Sequence, residues 1–179
     1  MATLKEFEAR FCELTGEDPG SVRYVCRVLQ QANILPTGKR GGGINTPQLT
    51  IEQASLFALG YYGSAEPKNA AKAASRLACL KLAGRQIEEE CLNVFSVRIR
   101  DLNGKTGGIW VKSIFFSLRE EWPEATFYFG DGDELYPEIT SFHPIETRPV
   151  HTRPVPLKGV TGEIFVALAD ALGLEVTYD

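Results

Sequence analysis

Apolar residues recur at helical spacing in the first third of the chain. Leu4, Phe7, Phe11 and Leu14 mark an amphipathic helix over residues 3–14, with Thr3 placed to cap it. Thr15-Gly16-Glu17-Asp18-Pro19-Gly20 stops that helix, and Asp18 or Ser21 can cap a second one running to about residue 32. In the second helix Val22, Val25, Cys26 and Leu29 share one face, while Arg23, Arg27 and Gln30 follow one another on a different face. Thr50-Ile51-Glu52-Gln53 forms a capping box for a third helix whose apolar run reaches Leu59, with Gly60 and Gly63 read as breakers. Glu66-Pro67 then opens an alanine-rich fourth helix ending near Gly84.

The second half is patterned differently. Residues 93–100 alternate apolar and polar, which predicts a strand. Residues 109–122 fit both periods, and the spacing of Val111, Phe115, Leu118 and Trp122 favours a helix. Strands are predicted over 125–129, 135–142 and 150–157, the last an edge strand because prolines interrupt it. A helix over 161–172 and a short strand over 174–178 close the chain. The fold class predicted is α+β: an N-terminal all-α helix-turn-helix domain over residues 1–88, then a smaller α+β domain over 89–179. The second is read as a dimerisation or partner-binding unit able to fold alone.

With 179 residues, there is enough chain for one large or two small domains. Hydrophobic residues make up 44% and charged residues 23%, an ordinary globular balance that excludes a disordered tail or a fibre. The longest uncharged run is too short to span a bilayer and the first residues lack a signal pattern, so no membrane and a cytoplasmic location are expected.

Charge changes the picture more. Residues 19–85 hold nine basic and two acidic side chains, a balance of +7, whereas residues 91–179 hold eight basic and thirteen acidic ones, a balance of −5. A basic block on an acidic whole is the footprint of a nucleic-acid-binding module joined to something else. On the second helix, arginine suits guanine edges or phosphates and glutamine can pair with adenine. After it, residues 33–47 run from an apolar pair, Ile34-Leu35, into a basic glycine-rich tip with Lys39 and Arg40. Glycine lets a backbone approach a groove closely, as a wing requires.

These residues carry a resemblance. Ser21-Val22-Arg23-Tyr24-Val25 on the second helix, then Ile34-Leu35-Pro36 leading to Lys39-Arg40, is similar to the winged helix-turn-helix of the MerR family of regulators. That family typically writes Thr-Leu-Arg-Tyr-Tyr there, followed by Gly-Leu-Leu-Pro and an arginine-bearing wing. The resemblance covers about residues 3–60 and implies that Arg23 and Tyr24 touch the DNA backbone or base edges. The chain departs from the family in its wing return, which reads Ile44-Asn45-Thr46-Pro47, and in lacking the long dimerisation helix. The family's effector and metal chemistry is therefore not carried over. The layout also resembles proteins of bacterial prophages.

Chemistry elsewhere is sparse. Cys12, Cys26, Cys79 and Cys91 are far apart and His143 and His151 lie in another region, so reduced, buried thiols and no metal are expected. Gly104-Lys105-Thr106 lacks the leading glycine of a phosphate loop. Asp131, Asp133 and Glu134 cluster at a turn without calcium-loop spacing. No catalytic constellation and no cofactor are expected. The function predicted is a sequence-specific DNA-binding protein, a transcriptional regulator acting as a homodimer on double-stranded DNA. Its DNA-binding residues would be Ser21, Arg23, Tyr24, Arg27, Gln30, Lys39 and Arg40. The alternative is a non-catalytic interaction protein of a phage or mobile element, a host-defence inhibitor or DNA-packaging accessory, with residues 89–179 meeting a protein partner.

Overall fold

The computed structural model describes residues 1–37, 46–82, 90–101, 110–118, 123–130, 139–143 and 156–174. Three caps set the first helices. In α1 (Leu4–Thr15) the Glu6 N–H donates to the Thr3 hydroxyl and the Glu6 carboxylate accepts from the Thr3 N–H at 2.8 Å. Asp18 caps α2 (Pro19–Gln31) by accepting from the Ser21 N–H at 2.7 Å, with Pro19 at the first helical position. Thr50 and Gln53 make the reciprocal pair that opens α3 (Ile51–Tyr62).

α3 is buried on almost every side and packs against α2, α4 (Ala70–Ala78), α5 (Cys91–Asp101) and α6 (Glu163–Ala171). An apolar run such as Ala54-Ser55-Leu56-Phe57-Ala58-Leu59 makes that a central position. Gly60 does not break this helix. It is buried within α3, and a β-carbon built on it would lie 2.8 Å from the Ala70 carbonyl oxygen, so glycine permits the approach of α4. α4 is preceded by a short 3-10 turn over Pro67–Asn69, and it ends at Ala78, earlier than the alanine pattern suggests.

The five-stranded sheet is antiparallel, in the order β1 (Lys81–Leu82), β4 (Ile139–His143), β3 (Ala125–Gly130), β2 (Trp110–Ser117), β5 (Leu157–Thr161). Ile114 is opposite Phe127 on one side and Val160 on the other. Ile114, Phe116, Ala125 and Phe127 are buried, and Phe95 of α5 packs its ring on Phe116, Phe127 and Phe165. α5 thus meets the inner face of the sheet through Phe95, whose ring also packs against Phe165 of α6.

Two expectations are overturned here. Residues 91–101 form a helix, because the buried set Cys91, Phe95 and Ile99 is spaced by four. Val97, which an alternating strand would bury beside Phe95 and Ile99, is 43% exposed. Conversely, residues 110–117 form a strand, in which Ile114 and Phe116 are buried two positions apart. A strand runs over Leu157–Thr161; residues 150–155 of the strand expected at 150–157 lie outside the described residues, as do 175–178. Leu14, expected on the core face of α1, is 47% exposed. Of the thiols, Cys26 and Cys91 are buried, Cys12 is half-buried and Cys79 is exposed.

One hydrophobic cluster contains buried residues from both sides of position 88. α1 packs on α6 and α3 on α5, and the Ala2 N–H donates to the Leu172 carbonyl at 2.9 Å. The buried Ser55 hydroxyl lies 3.1 Å from that of Ser96, linking α3 to α5. Phe116 and Phe127 of the sheet belong to this core.

Candidate nucleic-acid interface

α2 is held at both ends by local chemistry. Asp18 fixes its start, and Asn33 ends it in the left-handed conformation (φ 58°) while the Ile34 N–H donates back to the Leu29 carbonyl at 2.9 Å. Val22, Val25, Cys26 and Leu29 are buried, so one face of the helix is anchored in the core. Arg23, Tyr24 and Arg27 are exposed on the remainder, and 48% of Tyr24 is open to solvent. The helix offers two cations and a phenol that packing does not use.

The other expected site residues have different surroundings. Ser21 is half-buried, and its N–H serves the Asp18 cap. The Gln30 amide donates to the Pro36 carbonyl at 2.9 Å, tying the chain after the turn back onto α2. Lys39 and Arg40 lie outside the described residues. Where the chain is described again, Gln48 bridges to Thr3, and the Leu49 N–H donates to the Ala2 carbonyl at 2.9 Å. The glycine-rich segment is therefore fixed at one end on α2, through Gln30, and at the other near the start of α1.

Electrostatics around α2 are mixed. The Arg23 Nε lies 4.0 Å from a Glu8 carboxylate oxygen, with most of the guanidinium side chain exposed. Exposed ion pairs of this length contribute little to stability. Burial, with Glu8 nearby, pushes the Cys26 thiol well above its ordinary range, so it stays protonated. Hydrogen bonds from Ser21 lower the Asp18 carboxyl, and those from Thr3 lower that of Glu6. Of the basic block, Arg23 and Arg27 lie on α2 and the exposed Lys72 and Arg76 on α4, which α2 packs against, while Lys39, Arg40 and Arg85 lie outside the described residues. Lys68 pairs with Glu66 at 2.7 Å.

A polar cluster that the sequence did not announce lies where α3 meets β5. The Tyr61 and Tyr62 hydroxyls donate to the two Glu17 oxygens at 2.8 and 3.2 Å. The Lys158 ammonium stands 5.1 Å from the centre of each ring. The hydrogen-bonded pairs Glu17–Tyr61, Glu17–Tyr62 and Tyr61–Lys158 are 44, 45 and 97 positions apart, so no local pattern could have joined them. Among the described residues no three His, Cys, Asp or Glu side chains group to hold a metal, and no helix is long and apolar enough to cross a membrane. The turn with Asp131, Asp133 and Glu134 lies outside the described residues. Comparison with known proteins finds no matching family model, no similar curated protein and no similar solved structure.

Proposed function

We propose that the chain is a sequence-specific DNA-binding protein, a transcriptional regulator that inserts α2 into the major groove. The observation that carries this reading is the division of α2: a fully buried apolar face, and an exposed face bearing Arg23, Tyr24 and Arg27. Arginine reads guanine edges bidentately or grips phosphate, and a tyrosine hydroxyl can reach the backbone. Gln30 is better placed as a brace for the chain leaving α2, because its amide already engages Pro36. Lys39 and Arg40 would act from the wing through charge alone.

A single such helix contacts few bases, so the reading includes two copies on paired half-sites. Selection from a random duplex pool is expected to return a discrete palindromic site, and sedimentation a dimer on that duplex. Binding that is strongly salt-dependent and indifferent to sequence would overturn the regulator.

One observation favours a second reading. α1, whose Glu8 approaches Arg23, also carries Glu6 and Glu13, and Glu17 and Asp18 follow it. Carboxylates this close to the α2 arginines oppose a phosphate backbone and suit a protein partner of mixed charge. On that reading the chain is an interaction protein of a phage or mobile element, and the selection would return no site.

A further inference from the structure

The two arginines on the exposed face of α2 are not equivalent. Arg23 approaches α1, with its Nε 4.0 Å from a carboxylate oxygen of Glu8. Arg27, also exposed, has no ion pair or hydrogen bond among the described residues. Glu8 is the better held member of its pair: 20% of its side chain is exposed, against 63% for Arg23, and the protonated Cys26 thiol lies nearby. The helices that carry the contact are anchored beside it, α1 by Phe7 and Phe11 and α2 by Val22 and Cys26, all fully buried.

A guanidinium is a planar fork with donors along more than one edge. With the Glu8 carboxylate on the Nε side, the two terminal amino groups of Arg23 are left for a further partner. Two N–H groups side by side are what the O6 and N7 of guanine accept. Closing 4.0 Å to a direct charge-assisted bond takes about 1 Å of side-chain movement. An arginine already held loses less freedom on binding, and a fixed fork selects a base edge where a freely turning one settles on any phosphate oxygen. The Glu8 charge also opposes phosphate, so it weakens every complex in which Arg23 finds no guanine. We propose that Glu8 is a positioning residue for base readout: it holds Arg23 by the Nε edge and aims its terminal amino groups at a guanine, while the unheld Arg27 grips phosphate. This division of labour rests on α2 being a DNA-reading helix.

The full chain is titrated by fluorescence anisotropy against the duplex selected from a random pool and against a scrambled one, at two salt concentrations. Glu8→Gln keeps the shape of the side chain and removes its charge. It is expected to weaken the selected duplex roughly two- to tenfold, the scale of one long side chain left loose, and to tighten the scrambled duplex. With Arg23→Ala already present, Glu8→Gln is expected to tighten both duplexes alike. Glu13→Gln removes the same charge from the same helix and is expected to leave the preference between duplexes unchanged. Arg23→Ala is expected to relax preference at one guanine of the site, and Arg27→Ala to weaken both duplexes alike and lower the salt slope by about one. Melting curves check that each variant is folded, and the contrast between Arg23→Ala and Arg27→Ala is read without any change at Glu8. A folded Glu8→Gln variant that binds both duplexes like the parent, or tightens both alike, would overturn the positioning role while leaving α2 as the reader. So would a preference lost with Arg27→Ala and kept with Arg23→Ala. A pool that returns no site would overturn the positioning role and the DNA reading together.

Discussion

The ammonium of Lys158 on β5 donates to the main-chain carbonyl of Tyr61 on α3 at 3.2 Å, while standing over the rings of both Tyr61 and Tyr62. One side chain from the sheet thus closes a cluster whose other charge, Glu17, lies between the first two helices. Burial lowers the Lys158 ammonium from its ordinary value, with Glu17 acting in the opposite sense. Lys158→Met keeps the stem and removes the charge. It is expected to cost about 1 kcal/mol, the scale of a half-buried cation–π contact with one hydrogen bond. Urea unfolding checks this, and an unchanged midpoint would show the contact to be idle.

Tyr62→Phe isolates the Glu17 half of the same cluster. Tyr62 is almost fully buried and its hydroxyl bonds one carboxylate oxygen, so its removal is expected to cost about 1–2 kcal/mol. Tyr61→Phe removes the bond to the other oxygen, and because both tyrosines share Glu17 the double variant should depart from additivity. Strictly additive losses would mean that Glu17 does not couple them.

Alkaline pH is expected to destabilise the fold. Burial raises Cys26, Cys91, Tyr61 and Tyr62 above their ordinary values, so the fold keeps them protonated where the unfolded chain would not. Their contribution is complete below the unfolded values, roughly 8.5 for thiols and 10 for phenols, and is lost as pH rises further. Lys158 runs the other way, since its depressed ionisation penalises folding below its unfolded value, about 10.4, and that penalty fades as it deprotonates. Cys12, raised by the same cause, makes five groups opposing one, so urea midpoints should fall steadily from about pH 9 upward. A midpoint that stayed level to pH 10.5 would contradict the burial of these groups.

Gly60→Ala tests the close approach of α3 and α4. Alanine is the better helix former by about 1 kcal/mol, yet its β-carbon would lie 2.8 Å from the Ala70 carbonyl oxygen. Overpacking against backbone is expected to win, with a net loss of roughly 1–3 kcal/mol in urea unfolding. A stabilised variant would show that the helices can move apart freely.

The shared core makes the two halves interdependent. α6 packs on α1 and α5 on α3, so a fragment beginning at residue 90 would lose the helices that cover α5 and α6. Such a fragment is expected to lack fixed tertiary structure by near-ultraviolet circular dichroism, and the full chain to unfold in one transition. A fragment with a sharp melting transition of its own would contradict this and support the division at 88.

Legibility followed the range of the signals. The caps of α1, α2 and α3 are written within four residues each, and Thr3, Asp18 and Thr50 act as read. The buried and exposed faces of α2 were readable for the same reason. Residues 91–101 were misread because Val97 fits an alternating pattern locally, and only burial across α3 and the sheet separates it from Phe95 and Ile99. β2 was misread because Phe115 and Leu118 also fit a helix, and pairing with β3 and β5, both distant in sequence, decides the matter. Gln30 looked available on its helix face, but the left-handed Asn33 turns the Pro36 carbonyl toward it. The Glu17–Tyr61–Tyr62–Lys158 cluster is entirely non-local.

The central claim is that the exposed face of α2 reads DNA. The most direct measurement titrates the parent, Arg23→Ala and Arg27→Ala against the selected duplex and a scrambled one by fluorescence anisotropy at two salt concentrations. Both arginines are exposed and the Glu8 contact is long, so melting should shift by about 0.5 kcal/mol or less. At least one of the two losses is expected to weaken the selected duplex by roughly 1–3 kcal/mol and relax preference at one position, with the scrambled duplex affected less. Folded Arg23→Ala and Arg27→Ala variants that bind the selected duplex like the parent would contradict the assignment of α2 as a recognition helix.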